Sequence, residues 1–129
     1  MIAFITPLLH PRRRPAWRAL LAVGVLVVAW FAFTPSTATE LFEQADKVKH
    51  VLAFGCLAGA AALGWPAGRS TGLRIAGALL LYGACIEIVQ SFIPGRDASW
   101  LDLAADAVGI AAGLLAVQAA RLAGGPETG

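Results

Sequence analysis

A few polar side chains interrupt otherwise apolar stretches, and their types are those of proton transfer and ion binding. Asp46 and His50 are four residues apart, Glu87 and Gln90 three, and Asp102 and Asp106 again four. Positions i, i+3 and i+4 share one helix face, so each pair forms a stacked unit if its segment is helical. A carboxylate beside an imidazole fixes its tautomer and raises its basicity, which makes His50 with Asp46 a candidate base. Glu87, deep in an apolar run, is a candidate proton donor or acceptor. Lys47 flanks the first pair, and Arg96 sits in the loop Pro94-Gly95-Arg96-Asp97-Ala98-Ser99. Either could contact a phosphate or carboxylate.

Plainer uses stand beside these. Asp46 and Asp102 suit helix N-caps, Lys47 suits an interfacial snorkelling lysine, and Arg96 could tie its loop to Glu87 or Asp102. His50 alone would be a packed, hydrogen-bonded histidine, and Asp97, Glu40 and Glu43 read as solvated loop charges.

The elements that carry these residues follow from composition. The 129 residues are 58% hydrophobic and 14% charged, with a mean hydropathy of +0.71, against about 45–50% and about 25% in a soluble domain. So few charges cannot coat a small core in water, and the surplus apolar surface should face lipid. Spanning a bilayer core takes about 20 apolar helical residues, and four such runs occur: Ala16–Phe33, Asp46–Trp65, Leu73–Ile93 and Trp100–Leu122. Thr34-Pro35, Pro66, Pro94-Gly95 and Gly124-Gly125-Pro126 close them. No run alternates with period two, so the fold class is all-α, a polytopic four-helix membrane bundle over residues 16–123. Residues 1–15 and 124–129 form short flanking segments, and Met1–Leu9 is apolar but too short to span.

Trp17, Trp30, Trp65 and Trp100 fall at span ends, as interfacial belt residues do. Gly55-x-x-x-Gly59, Ala60-x-x-x-Gly64 and Gly109-x-x-x-Gly113 allow close helix approach in lipid, which predicts that the second and fourth spans lie inside the bundle. Arg12, Arg13, Arg14, Arg18, Arg69, Arg74 and Arg121 all fall on one side of the membrane, leaving Lys47, Lys49 and Arg96 on the other. The positive-inside rule then predicts cytoplasmic N- and C-termini. Ser36-Thr37-Ala38 would also fit a signal-peptide cleavage site, but Pro35 after Trp30-Phe31 reads as an interfacial stop and favours a retained span.

In this topology the acids gather at the outer ends of three spans. Polar groups at membrane depth face the bundle interior or a hydrated cavity, which predicts an outward-facing pocket floored by Glu87 and ringed by Asp46, His50, Gln90, Arg96, Asp102 and Asp106. Two basic side chains, Lys47 and Arg96, cannot pair with every acid there. Some carboxylates must share a proton, hold a cation or stay hydrated.

Other classes drop out. The net charge of +2 and the lack of basic stretches interleaved with aromatics exclude a nucleic-acid partner. Cys56 and Cys85 form neither a metal knuckle nor a disulfide framework, and read as small buried packing residues. His10 and His50 fall on opposite sides of the membrane, so no zinc constellation is expected. No nucleotide loop or haem site appears, and no metal or cofactor is expected. Four short spans would line a transport path only as a homo-oligomer.

The order Asp46-Lys47-x-x-His50, Glu87-x-x-Gln90, Pro94-Gly95-Arg96-x-x-Ser99-x-x-Asp102 and Gly109-x-x-x-Gly113 resembles the VanZ-like family of small bacterial membrane proteins. The resemblance covers about half the chain, from Asp46 to Gly113. It implies an integral protein of the bacterial cytoplasmic membrane, related to one associated with teicoplanin resistance, and puts the family's polar signature on Asp46, Lys47, His50, Glu87, Gln90, Arg96 and Asp102. Where the family usually has Asn, this chain has Asp106. The lipid bilayer is the expected environment and a lipid-linked or cell-wall precursor the expected ligand. A non-enzymatic alternative keeps the polar cluster for packing or for binding a cation.

Overall fold

The computed structural model describes residues 7–35 and 43–124. The readings of Met1–Leu9, apart from its last three residues, and of Ser36-Thr37-Ala38, Glu40 and the tail beyond Gly124 lie outside it. A short 3-10 turn, Pro11–Arg13, leads into four helices: α1 Arg14–Phe33, α2 Glu43–Gly64, α3 Arg69–Gln90 and α4 Trp100–Ala123. All four are long and apolar enough to cross a membrane, and there is no strand among the described residues.

The boundaries follow local chemistry. Thr34, before Pro35, is extended (φ −73°, ψ 126°), because a proline disfavours the α region in its predecessor. Ser99 caps α4, its side chain accepting from the Leu101 N–H at 3.2 Å. The third helix ends at Gln90, three residues short of the expected Ile93. Glu87 therefore lies in its last turn, shallower than the sequence spacing implied, and is buried by the following loop instead. In that loop the Arg96 N–H donates to the Ile93 carbonyl at 3.1 Å, and Gly95 has φ 76°. Pro94 and Gly95 thus hold the two central positions of a type II turn, where the second requires positive φ. The turn delivers Arg96 back towards α1.

The core is built on α2. Phe54, Leu57, Ala58, Leu79, Ile86 and Ile110 form the buried cluster, and Leu21, Val25, Val28 and Ala32 of α1 pack against it. Their 4-3-4 spacing is one helix stripe, while Leu26 and Trp30 remain more than 70% exposed on the opposite face. Exposed apolar side chains of this kind occur on every helix and are the surface that lipid would cover. Cys56 and Cys85 belong to that surface, both being exposed. This corrects the buried reading: an apolar run marks a lipid-facing position as readily as an interior one.

The second and fourth helices make the most intimate contact, but only α2 is central, packing against all three others. The expectation that the fourth also lies inside is corrected by its exposed Leu101, Val108, Leu115 and Leu122. A Cβ at Gly109 would overlap the Val51 carbonyl oxygen, and one at Gly113 the Gly55 carbonyl oxygen. Only glycine permits this approach, in which packing replaces the hydrophobic drive absent in lipid. Gly59 has nothing within 4 Å of such a Cβ, so of its motif only Gly55 serves the crossing. Because Gly109 meets Val51 and Gly113 meets Gly55, α2 and α4 run parallel.

At the opposite end of the bundle, Arg18 donates to the Gly64 carbonyl at 2.9 Å and Arg121 to those of Ala62 at 2.6 Å and Trp65 at 3.3 Å. These groups close the C-terminus of α2, where carbonyls lack helical partners and cations are favoured.

Candidate functional site

The parallel register of α2 and α4 determines the site. With both helices rising together, Asp46 and His50 stand opposite Asp102 and Asp106 as two rungs, and the glycine contact one turn further on draws the rungs close. In the inner rung His50 Nδ1 and Asp106 Oδ1 are 2.7 Å apart. Asp106 is 0% exposed and the His50 side chain 13%. With Asp106 ionised, and so only an acceptor, Nδ1–H is the donor; Nε2 makes no hydrogen bond among the described residues. The imidazole lies parallel to Phe54, ring centres 6.3 Å apart, which holds its plane. Sequence spacing pointed to Asp46 as the carboxylate that orients His50. The structure gives that place to Asp106, across the helix interface rather than along the helix.

Asp106 Oδ2 is buried without a hydrogen-bond partner and occupies the space over Gly83, where a Cβ would overlap it. Gly83 thus makes room for the carboxylate, a role with no signal in the spacing of polar residues. In the outer rung, donor atoms of Asp46, His50 and Asp102 all lie within 4.8 Å of one another. Asp102 is only 6% exposed. Lys49 Nζ approaches Asp46 Oδ1 at 3.9 Å.

A cleft of about 510 Å³ opens beside this ladder. Val27, Val28 and Phe31 of α1 form one wall; Asp46, Lys49 and His50 of α2 form the other. Phe54 and Ile86 lie between them, and Gln90 and Arg96 also border the cleft. The expected pocket therefore exists in part, with three corrections. Glu87 is not its floor, Asp102 and Asp106 adjoin His50 without lining the cleft, and Lys49 takes the lining position expected of Lys47.

The remaining predicted residues engage backbone. Glu87, 8% exposed, accepts from the Ser99 N–H through Oε2 at 2.7 Å, and its Oε1 has no partner. Gln90 Nε2 donates to the Ala32 carbonyl at 3.1 Å. Arg96 donates to the Phe31 carbonyl at 2.6 Å and to the Thr34 carbonyl at 3.0 and 3.1 Å, so it closes α1 and binds neither Glu87 nor Asp102. Tyr82 adds a hydrogen bond to the Val25 carbonyl at 2.6 Å. Helix α1, outside the sequence motifs, is therefore tied to the bundle by two motif residues.

No family model, curated protein or solved structure matches the chain.

Proposed function

We propose that this is a VanZ-like protein of the bacterial cell envelope that binds an envelope component in the cleft beside His50. The observation that carries the reading is the His50–Asp106 pair. A fully buried carboxylate holds one ring nitrogen and leaves the other for a ligand, an arrangement that orients a histidine for binding or proton transfer. The cleft suits an amphiphile: apolar α1 side chains offer a surface for a lipid chain, while Lys49 would attract a phosphate or carboxylate headgroup. Under the positive-inside rule the termini are cytoplasmic and the cleft opens in the outer leaflet, where lipid-linked saccharides and peptidoglycan precursors are handled. The sequence resemblance supports a link to teicoplanin susceptibility.

The test is the teicoplanin susceptibility of a bacterium producing the protein. His50→Ala and Asp106→Asn should restore susceptibility at unchanged membrane levels of protein. Full resistance in both variants would refute the reading.

Glu87, Gln90 and Arg96 are read differently. Their hydrogen bonds to the Ser99 N–H and the α1 carbonyls favour the non-enzymatic alternative for that part of the cluster, which holds the loop and α1 in place.

A further inference from the structure

We propose that Asp46, His50 and Asp102 bind one divalent transition-metal ion, zinc or manganese, with Asp106 as the carboxylate that orients the histidine ligand. The inference deepens the reading of the same site by naming its ion. It rests on that reading for what the ion is used for, but not for whether the ion binds.

Three observations converge. The donor atoms of Asp46, His50 and Asp102 lie within 4.8 Å of one another. With ligand distances of about 2.0–2.2 Å, two donors of a tetrahedral ion are roughly 3.4 Å apart, so closure takes under about 1 Å of movement from each side chain. Second, Asp102 is only 6% exposed, and none of the side-chain hydrogen bonds or ion pairs among the described residues involves its carboxylate. A largely buried carboxylate without such a partner, beside a second carboxylate and an imidazole, is a place for a cation, a proton or bound water, and the histidine beside it favours the cation. Third, the His50 Nδ1–Asp106 bond of 2.7 Å is the carboxylate–histidine arrangement that stands behind metal-bound imidazoles. With Nδ1 committed to Asp106, Nε2 is the ring atom assigned to the ion.

One imidazole and two carboxylates suit zinc or manganese better than magnesium, which prefers oxygen donors and retains its water. Three protein ligands would leave at least one coordination position open. With Asp46 and His50 in the cleft wall, that position would face the cleft, where an anionic headgroup could complete the ion's shell.

The experiment measures zinc and manganese binding to the full chain, purified without a histidine tag, in lipid nanodiscs. One equivalent of metal per chain is expected. His50→Ala and Asp102→Asn should each weaken binding at least about 100-fold, and Asp106→Asn about 10–100-fold, as loss of an outer-shell partner does. His10→Ala should bind normally. Helical content and melting temperature verify that each variant is folded, and Asp46→Asn provides a second ligand deletion if Asp102→Asn fails to fold. Absence of stoichiometric binding, or binding unchanged in folded His50→Ala, overturns the proposal. Metal binding without any effect on teicoplanin susceptibility would leave the ion site standing and refute the envelope reading; His50-dependent resistance without metal binding would do the reverse.

Discussion

The polar residues at one end of the bundle divide between two structures only a helix turn or two apart. Glu87, Gln90 and Arg96 turn towards backbone: a loop N–H and the last carbonyls of α1. Asp46, His50, Asp102 and Asp106 turn towards one another across the α2–α4 interface. The first group relieves groups that a helix end or loop leaves unpaired. The second leaves acids in excess of bases, which a rigid scaffold must hold together. Residues of similar type thus do different work according to whether an unpaired backbone group or another ionisable side chain lies within reach.

The largest effect that separates the two should come from Asp106→Ala. Removing one partner of a buried pair strands the other, at about 3–5 kcal/mol, and thermal unfolding in nanodiscs should report a loss of that order together with loss of metal binding. A loss of stability with binding intact would move His50 into the packing group.

Next is Gly109→Ala, which places a methyl against the Val51 carbonyl. Overpacking of this kind costs about 1–3 kcal/mol, and by parting α2 from α4 it should also weaken metal affinity. Gly59→Ala, with open space around its Cβ, should stay within about 0.5 kcal/mol of the native chain. Equal effects of the two would remove the glycine contact as the cause of the ladder.

Arg96→Gln should act on the other group alone. Losing charged hydrogen bonds to α1, each worth about 1.5–3 kcal/mol, should expose the α1 end of the cleft to proteolysis or cysteine labelling, while ion binding to α2 and α4 persists.

The smallest expected effect is a coupling close to zero. Glu87 and Arg96 share no hydrogen bond, so a Glu87→Gln, Arg96→Gln cycle should be additive within about 0.5 kcal/mol. A coupling above that would restore the ion pair that the sequence alone allowed.

Much of the architecture was legible because in lipid a span is a property of its own residues. Run length, closing prolines and belt tryptophans mark the four helices, and the glycine spacings mark the close contact between α2 and α4. Less of the site was legible. His50 carries a carboxylate one turn away on its own helix, so Asp46 was the natural partner, yet the bond goes to Asp106, 56 residues on. Counting histidines on each side of the membrane could not show that two carboxylates from different helices come together beside His50. Glu87 drew attention by its depth in an apolar run, but the helix ends early and its partner is a loop N–H. The exposed cysteines had no distinguishing signal, since lipid-facing and buried positions are both apolar.

The sequence by itself determined the spans and the matched four-residue spacings, Asp46 to His50 and Asp102 to Asp106, because helix periodicity acts within a segment. Which residue faces which was decided only by the tertiary structure. Glycine contacts at Gly55, Gly109 and Gly113 lock the parallel register of α2 and α4 at a distance where Asp106 reaches His50. That choice depends on backbone approach between helices, which no spacing along one chain segment encodes.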